Sequence, residues 1–175
     1  MAVSELNQRL YLSGGASNAD PKLSIGGAKS SVQISATALG ALFDNVTGSE
    51  ATAGQDDYRL LYYQNVDTDP VGAMDVAAFL TQPNVADVAT GEVLELGIAA
   101  AGKNAVEDAI ADENTAPADV TFDDSYLDYA SGLVLPDGPY EQDDYVGIWV
   151  HRHTPALQAY NPTGTDAAIS LGWES

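Results

Sequence analysis

Cysteine is absent from this 175-residue chain. That excludes a disulfide framework, a thiolate zinc site and a thiol nucleophile, and it leaves the redox compartment unreadable. Basic residues are nearly as scarce: Lys and Arg together number 6 against 26 Asp and Glu, with lysine only at 22, 29 and 103. No cluster of cations exists to displace counterions from a phosphate backbone, so a nucleic-acid partner held by a basic patch is excluded. Long apolar runs are missing too. No window approaches the roughly 18–20 apolar residues of a membrane helix, and MAVSELNQRL lacks the basic and apolar regions of a signal peptide. The expectation is a soluble chain with no membrane partner.

What the sequence has is acid. The formal net charge is −20, whereas a small soluble domain carries a magnitude of about 2–8. The acids recur from Glu5 to Glu174 in ones and twos, as at Asp56-Asp57, Asp123-Asp124 and Asp143-Asp144. A disordered acidic chain is poor in aromatics, but nine Tyr, two Trp and alternating apolar runs argue for a packed fold. We read the charge as adaptation to molar salt, where a Debye length of about 3 Å screens self-repulsion and the carboxylates keep the protein hydrated. An acidic mesophilic surface protein is the alternative.

The length suits one domain, burying roughly 70% of the unfolded chain's surface. Residues 1–31 read as an N-terminal arm with the first strands, and 32–175 as a single β domain. Leu10–Leu12 is a short β-type run, broken by Ser13-Gly14-Gly15. The turn Asn18-Ala19-Asp20-Pro21 follows, then Lys22, the apolar pair Leu23 and Ile25, and a second glycine pair, Gly26-Gly27. Such dense turn chemistry marks an arm or loop held against another surface. Its Lys22 and Lys29 are placed to meet an acidic neighbouring subunit.

Beyond it, Val32–Ser35 alternates as a strand, while Ala36–Phe43 fits helix and strand equally. Asp44–Asp57 is a turn-rich connection. Tyr58–Asn65 has Tyr58, Leu60 and Tyr62 on one face and Arg59, Leu61 and Tyr63 on the other, as in a central strand covered on both sides. The Pro/Gly turn at Asp67–Gly72 leads into Ala73–Leu80, suggesting a hairpin or meander pair. Gln82–Gly91 reads as loop. Val93–Ile98 points Leu94, Leu96 and Ile98 inward. Asn104–Asp112 is the one plausible helix, with Asn104 as cap and Glu107 three residues on. Tyr145–Arg152 and Asp166–Trp173 close the chain with clean alternation. Seven or eight short strands and at most one short helix give an all-β fold, an antiparallel β-sandwich, jelly-roll-like.

Chemistry is sparse. His151 and His153 point the same way on a strand and can share a metal ion, but no third ligand is marked nearby. Gly26-Gly27-Ala28-Lys29-Ser30 fails the phosphate-loop pattern, which needs glycines where Ala28 and Leu23 stand. Asp67-x-Asp69 begins like an EF-hand, but Val71 and Ala78 stand where later ligands belong. Irregular oxygen sites at Asp123, Asp124 and Asp128 fit chance clustering in so acidic a chain. Carboxylate pairs for glycoside hydrolysis have no specificity here, and Trp149 and Trp173 suit core as well as sugar stacking. The expectation is no catalytic residue, no cofactor and no metal.

Three patches resemble virion structural proteins of tailed double-stranded DNA viruses. They are Ser13–Ser31 (SGGASNADP…SIGGAKSS), Ala111–Phe122 (ADENTAPADVTF), and Trp149–His153 (WVHRH) with Ala159-Tyr160-Asn161 downstream. Residues 35–100 match only in strand pattern, and the Asp-rich surface departs from bacteriophage relatives in the direction a haloarchaeal host imposes. The resemblance implies a non-enzymatic particle component in many copies. It points to a capsid decoration or turret protein on the virion exterior, assembled in the host cytoplasm. Its partners would be the major capsid protein or other virion proteins, and its own copies as a homo-oligomer, trimer or pentamer. A tail or neck component is the alternative within that class. A secreted or cell-surface β-sandwich binding carbohydrate or calcium is the alternative outside it. The assembly residues this reading assigns are Gly14, Gly15, Asn18, Asp20, Pro21, Lys22, Gly26, Gly27 and Lys29.

Overall fold

The computed structural model describes residues 7–34, 42–44, 46–68, 72–81, 86–87, 92–157 and 168–174. The strand expectations at Ser35, Ala36–Ala41 and 166–167, the turn at 69–71, most of the 82–91 loop and Ala159-Tyr160-Asn161 lie outside the described residues.

Among the described residues nine strands follow in chain order: β1 (Gln8–Leu12), β2 (Gln33–Ile34), β3 (Gln55–Asn65), β4 (Met74–Thr81), β5 (Ala86–Asp87), β6 (Glu92–Ile98), β7 (Leu133–Val134), β8 (Tyr145–Thr154) and β9 (Ala168–Glu174). They form a six-stranded sheet in the order β2-β1-β3-β8-β6-β5 and a three-stranded sheet in the order β7-β4-β9. Every pairing is antiparallel. The chain crosses from the large sheet to the small one at β4, back at β5, and again at β7, β8 and β9. The result is an all-β, antiparallel sandwich in which the chain crosses repeatedly between two sheets. The edge strands β2 and β5 are two residues each, short enough to offer little template for edge-to-edge pairing.

β3 is the spine. Every residue from Asp57 to Asn65 is buried. Its alternation sends Leu61 and Tyr63 into the core between the sheets, with Val146, Ile148 and Val150 of β8, Leu94 and Leu96 of β6, and Val76, Ala78 and Leu80 of β4. The opposite set, Tyr58, Leu60 and Tyr62, packs with Trp149 and Ala99 in a second core. That second core is closed not by a sheet but by chain without regular structure, through Ile110, Val120 and Phe122. The sandwich therefore carries a third layer built from residues 13–31 and 99–122. The same layer covers the edge of β3 where it outruns β1: the Leu60 N–H donates to Ser24 O (2.6 Å) and the Tyr58 N–H to Glu113 O (2.8 Å).

Two local expectations are overturned. Asn104–Asp112 is not a helix. Asn104 sits at φ 58°, and its neighbours bond across the layer instead of along a helix: Gly27 N–H to Glu107 O and Ile110 N–H to Ile25 O, both 2.9 Å. The described helix is instead α1 (Gly48–Ala53), opened by a capping box in which Thr47 and Glu50 exchange side-chain-to-backbone hydrogen bonds. Nor do β3 and β4 form a hairpin. Both long edges of β3 are taken by β1 and β8, so the turn after it carries a crossover to the other sheet.

Candidate functional site

The glycine-rich stretch is a closed loop of its own. Its ends meet where the Ser30 N–H donates to Leu12 O (2.8 Å) and the Leu12 N–H to Val32 O (3.1 Å). Inside it, Asn18 is buried; its amide donates to Ser13 O (2.6 Å) and its carbonyl oxygen accepts from the Asp20 N–H (2.9 Å). Asp20 caps a 3-10 turn, Pro21–Leu23, by accepting from the Lys22 N–H, with Pro21 at its start. Gly14 and Gly26 are at φ 92° and 110°, and a side chain on Gly26 would meet the backbone of Asp108 and Ala109. There the glycine allows two pieces of backbone to touch. Gly15 donates to Ala28 O (2.9 Å) and Gly27 to Glu107 O. Lys29 lies 4.1 Å from the centre of the Tyr11 ring, and burial pushes its ammonium pKa down. Lys22 pairs with Asp44 at 3.0 Å, both half-exposed. All nine residues thus have roles within their own chain, and Asp20, Lys22 and the 58%-exposed Leu23 are among the loop's exposed residues.

Residues 13–31 and 111–122 belong to the third layer, whereas Trp149–His153 belongs to β8 beneath it. The Tyr62 hydroxyl joins two of the layer's strands of chain, donating to Gly27 O and accepting from the Glu107 N–H, each at 2.9 Å. Glu107 is buried, and its carboxylate accepts from the Ala101 N–H (2.8 Å) and the Trp149 indole N–H (3.3 Å). Trp149 is fully buried. It is core, not a platform for a sugar.

At the end of the sheet where β3 begins and β8 finishes, the two faces of the strands carry different chemistry. On one face the buried Asp57 and Arg152 are direct cross-strand partners. Arg152 donates to Asp57 Oδ2 from Nε (3.0 Å) and Nη2 (2.5 Å), and to Asp44 O from Nη1 (2.6 Å). Phe43 lies beneath this guanidinium at 4.8 Å. Arg59, also buried, pairs with Glu113 of the third layer.

The other face gathers Asp56, Glu95, His151 and His153. Asp56 lies opposite His153, Tyr58 opposite His151, and Glu95 of β6 opposite His151 from the other side. Asp56 Oδ1 is 2.8 Å from His151 Nε2 and 2.7 Å from His153 Nδ1, while Glu95 Oε2 is 2.5 Å from His151 Nδ1. His151 is buried and stacked on Tyr58, ring centres 4.5 Å apart and planes within 8°. Phe122 closes over it at 5.3 Å. Burial pushes the Asp56 carboxyl pKa up, but hydrogen bonds from His153 and His151 outweigh this and hold it below the usual range. The histidine pair is visible in the sequence. Asp56 and Glu95 are not, because only strand register brings them there.

Two of the three acids singled out as oxygen ligands, Asp123 and Asp128, are occupied locally. Asp123 accepts from the Ser125 N–H (2.7 Å), and Asp128 from the Ser131 N–H (2.8 Å). Each carboxylate holds its own turn. No described helix is long and apolar enough to cross a membrane. No family model, curated relative or solved structure matches the chain.

Proposed function

We propose that the chain is a non-enzymatic structural protein of the virion of a tailed double-stranded DNA virus of haloarchaea, bound to the capsid exterior as a decoration or turret component. One observation carries this reading. The stretches that resemble virion proteins, 13–31, 111–122 and 149–153, are remote in sequence yet lie together around the start of β3: Ser24 O and Glu113 O of the first two accept from Leu60 and Tyr58 of β3, and Phe122 lies against His151 of the third. Such clustering of remote resemblances favours one shared structural unit over chance likeness. The third layer also offers isolated apolar side chains to a partner, Leu23 at 58% and Val106 at 54% exposure. The partner is the lattice of the major capsid protein or another virion protein, with this chain present as a trimer or pentamer and assembled in the host cytoplasm. The acidic surface suits a particle that lives in molar salt.

Mass spectrometry of purified virions, with electron microscopy of particles carrying a labelled copy, tests the reading. A high copy number with label over the capsid is expected. Absence from virions overturns it, and label confined to a few copies at the neck or tail replaces decoration with the alternative within the class.

A further inference from the structure

We propose that Asp56, His151 and His153 bind a divalent transition-metal ion of the zinc type. This stands independently of the virion reading. The donors Asp56 Oδ1, His151 Nε2 and His153 Nδ1 all lie within 4.8 Å of one another. An ion takes such donors at about 2.0–2.2 Å, which sets neighbouring donors roughly 3.4 Å apart in a tetrahedral shell. The two Asp–His separations, 2.8 and 2.7 Å, have to open by less than about 1 Å to reach that spacing. The side chains that move are free to do so: those of Asp56 and His153 are 45% and 44% exposed.

His151 supplies the fixed point. Its ring is stacked on Tyr58 with Phe122 packed beside both, and Glu95 Oε2, 2.5 Å from Nδ1, is placed to accept a hydrogen bond from it. This fixes the tautomer whose Nε2 lone pair faces Asp56 and His153. A carboxylate behind a histidine ligand is the outer-shell arrangement that orients the ring and raises its basicity at metal centres. An ion on Nε2 leaves the Nδ1 N–H to donate to Glu95. Two imidazoles and one carboxylate favour zinc, cobalt or nickel over calcium or magnesium. The ion would staple the start of β3 to the end of β8.

The test is titration of the full-length chain with Co²⁺ in molar salt, which screens diffuse binding by the other carboxylates. A visible absorption band of nitrogen-ligated cobalt is expected, saturating at one ion per chain, displaced by Zn²⁺ and indifferent to equimolar Ca²⁺. Zn²⁺ should also raise the melting temperature. His153→Ala, at an exposed position that leaves the fold intact, should weaken binding at least tenfold, and Glu95→Gln by about 10–100-fold. A spectrum that stays that of aqueous cobalt, equal affinity in His153→Ala, or displacement by equimolar Ca²⁺ would each overturn the proposal.

Discussion

Tyr62 carries out at residue scale what the third layer does as a whole. Its ring belongs to the second core, and its hydroxyl satisfies a backbone acceptor at Gly27 and a donor at Glu107. Burial pushes the phenol pKa up, so it serves as a neutral bridge throughout the physiological range. Tyr62→Phe removes the bridge and strands both backbone groups. A loss of about 1–3 kcal/mol is expected in denaturant unfolding, with faster amide exchange at Glu107. An unchanged midpoint would mean that water replaces the hydroxyl at no cost. Asp57 is the harsher case. Asp57→Ala leaves the Arg152 guanidinium buried beside Phe43 without its carboxylate, for an expected loss of about 3–5 kcal/mol. Replacing both partners with apolar residues of similar volume should cost less than the single change, because the charge goes with its partner. Neither role is legible in the sequence. Period-two alternation tells that Tyr62 faces one side and Asp57 the other, but not what waits there.

Among the elements, those whose hydrogen bonds repeat are the ones the residues announce. β3, β6 and β8 follow the alternation of Leu61 and Tyr63, Leu94 and Leu96, and Val146, Ile148 and Val150 into the central core. The third layer has no such period. Its backbone groups bond to remote partners, Gly27 to Glu107 and Ile110 to Ile25, so Asn104 and Glu107 imitate a helix start while holding Asp144 and Trp149. The histidine cluster is half-legible for the same reason: β8 shows two of its members, and the register with β3 and β6 supplies the others. Asp144 gives the layer a pH dependence. Burial alone would raise its pKa, but hydrogen bonds from Asn104 (2.6 Å) and the Glu141 N–H (2.8 Å), together with Lys103 (2.8 Å), hold it below the ordinary carboxylate value. A depressed pKa contributes stability that is complete above the unfolded value, about 3.9, and is lost as pH falls through the folded one. Asp144→Asn should therefore flatten the acid side of the stability curve below about pH 4; an acid limb as steep as that of the parent protein would assign it to other groups. The glycine loop makes a different prediction. Because the Lys22–Asp44 pair is half-exposed and solvent-screened, Lys22→Glu should leave the denaturant midpoint of the isolated chain nearly unchanged. If the loop's outer edge is an assembly contact, the same change should lower occupancy on virions, and full occupancy would leave it a structural loop only.

At the scale of the whole molecule, six cations face 26 acids, and five of the six are already engaged, while Arg9 donates to Gln33 (3.2 Å). Arg59 and Arg152 are buried and pair with Glu113 and Asp57, Lys22 and Lys103 hold Asp44 and Asp144, and Lys29 rests on Tyr11. No sufficient basic reserve exists to neutralise the remaining surface, so its self-repulsion can be relieved only by mobile ions. At 0.1 M salt the Debye length is about 10 Å, comparable to the spacing of neighbouring surface charges; at 1 M it is about 3 Å and the repulsion is confined to pairs in contact. The buried Arg152–Asp57 pair, shielded from solvent, should respond little. The folded state is therefore expected to gain stability steadily from 0.1 M to several molar KCl, with cooperative melting only toward the upper end. Neutralising a handful of exposed acids to Asn or Gln should shift that curve to lower salt without altering stability at its plateau. Melting temperatures across a KCl series for parent and neutralised chains decide the matter. Coincident curves, or a parent chain melting identically at 0.1 M and 3 M, would show that the carboxylates serve something other than life in brine.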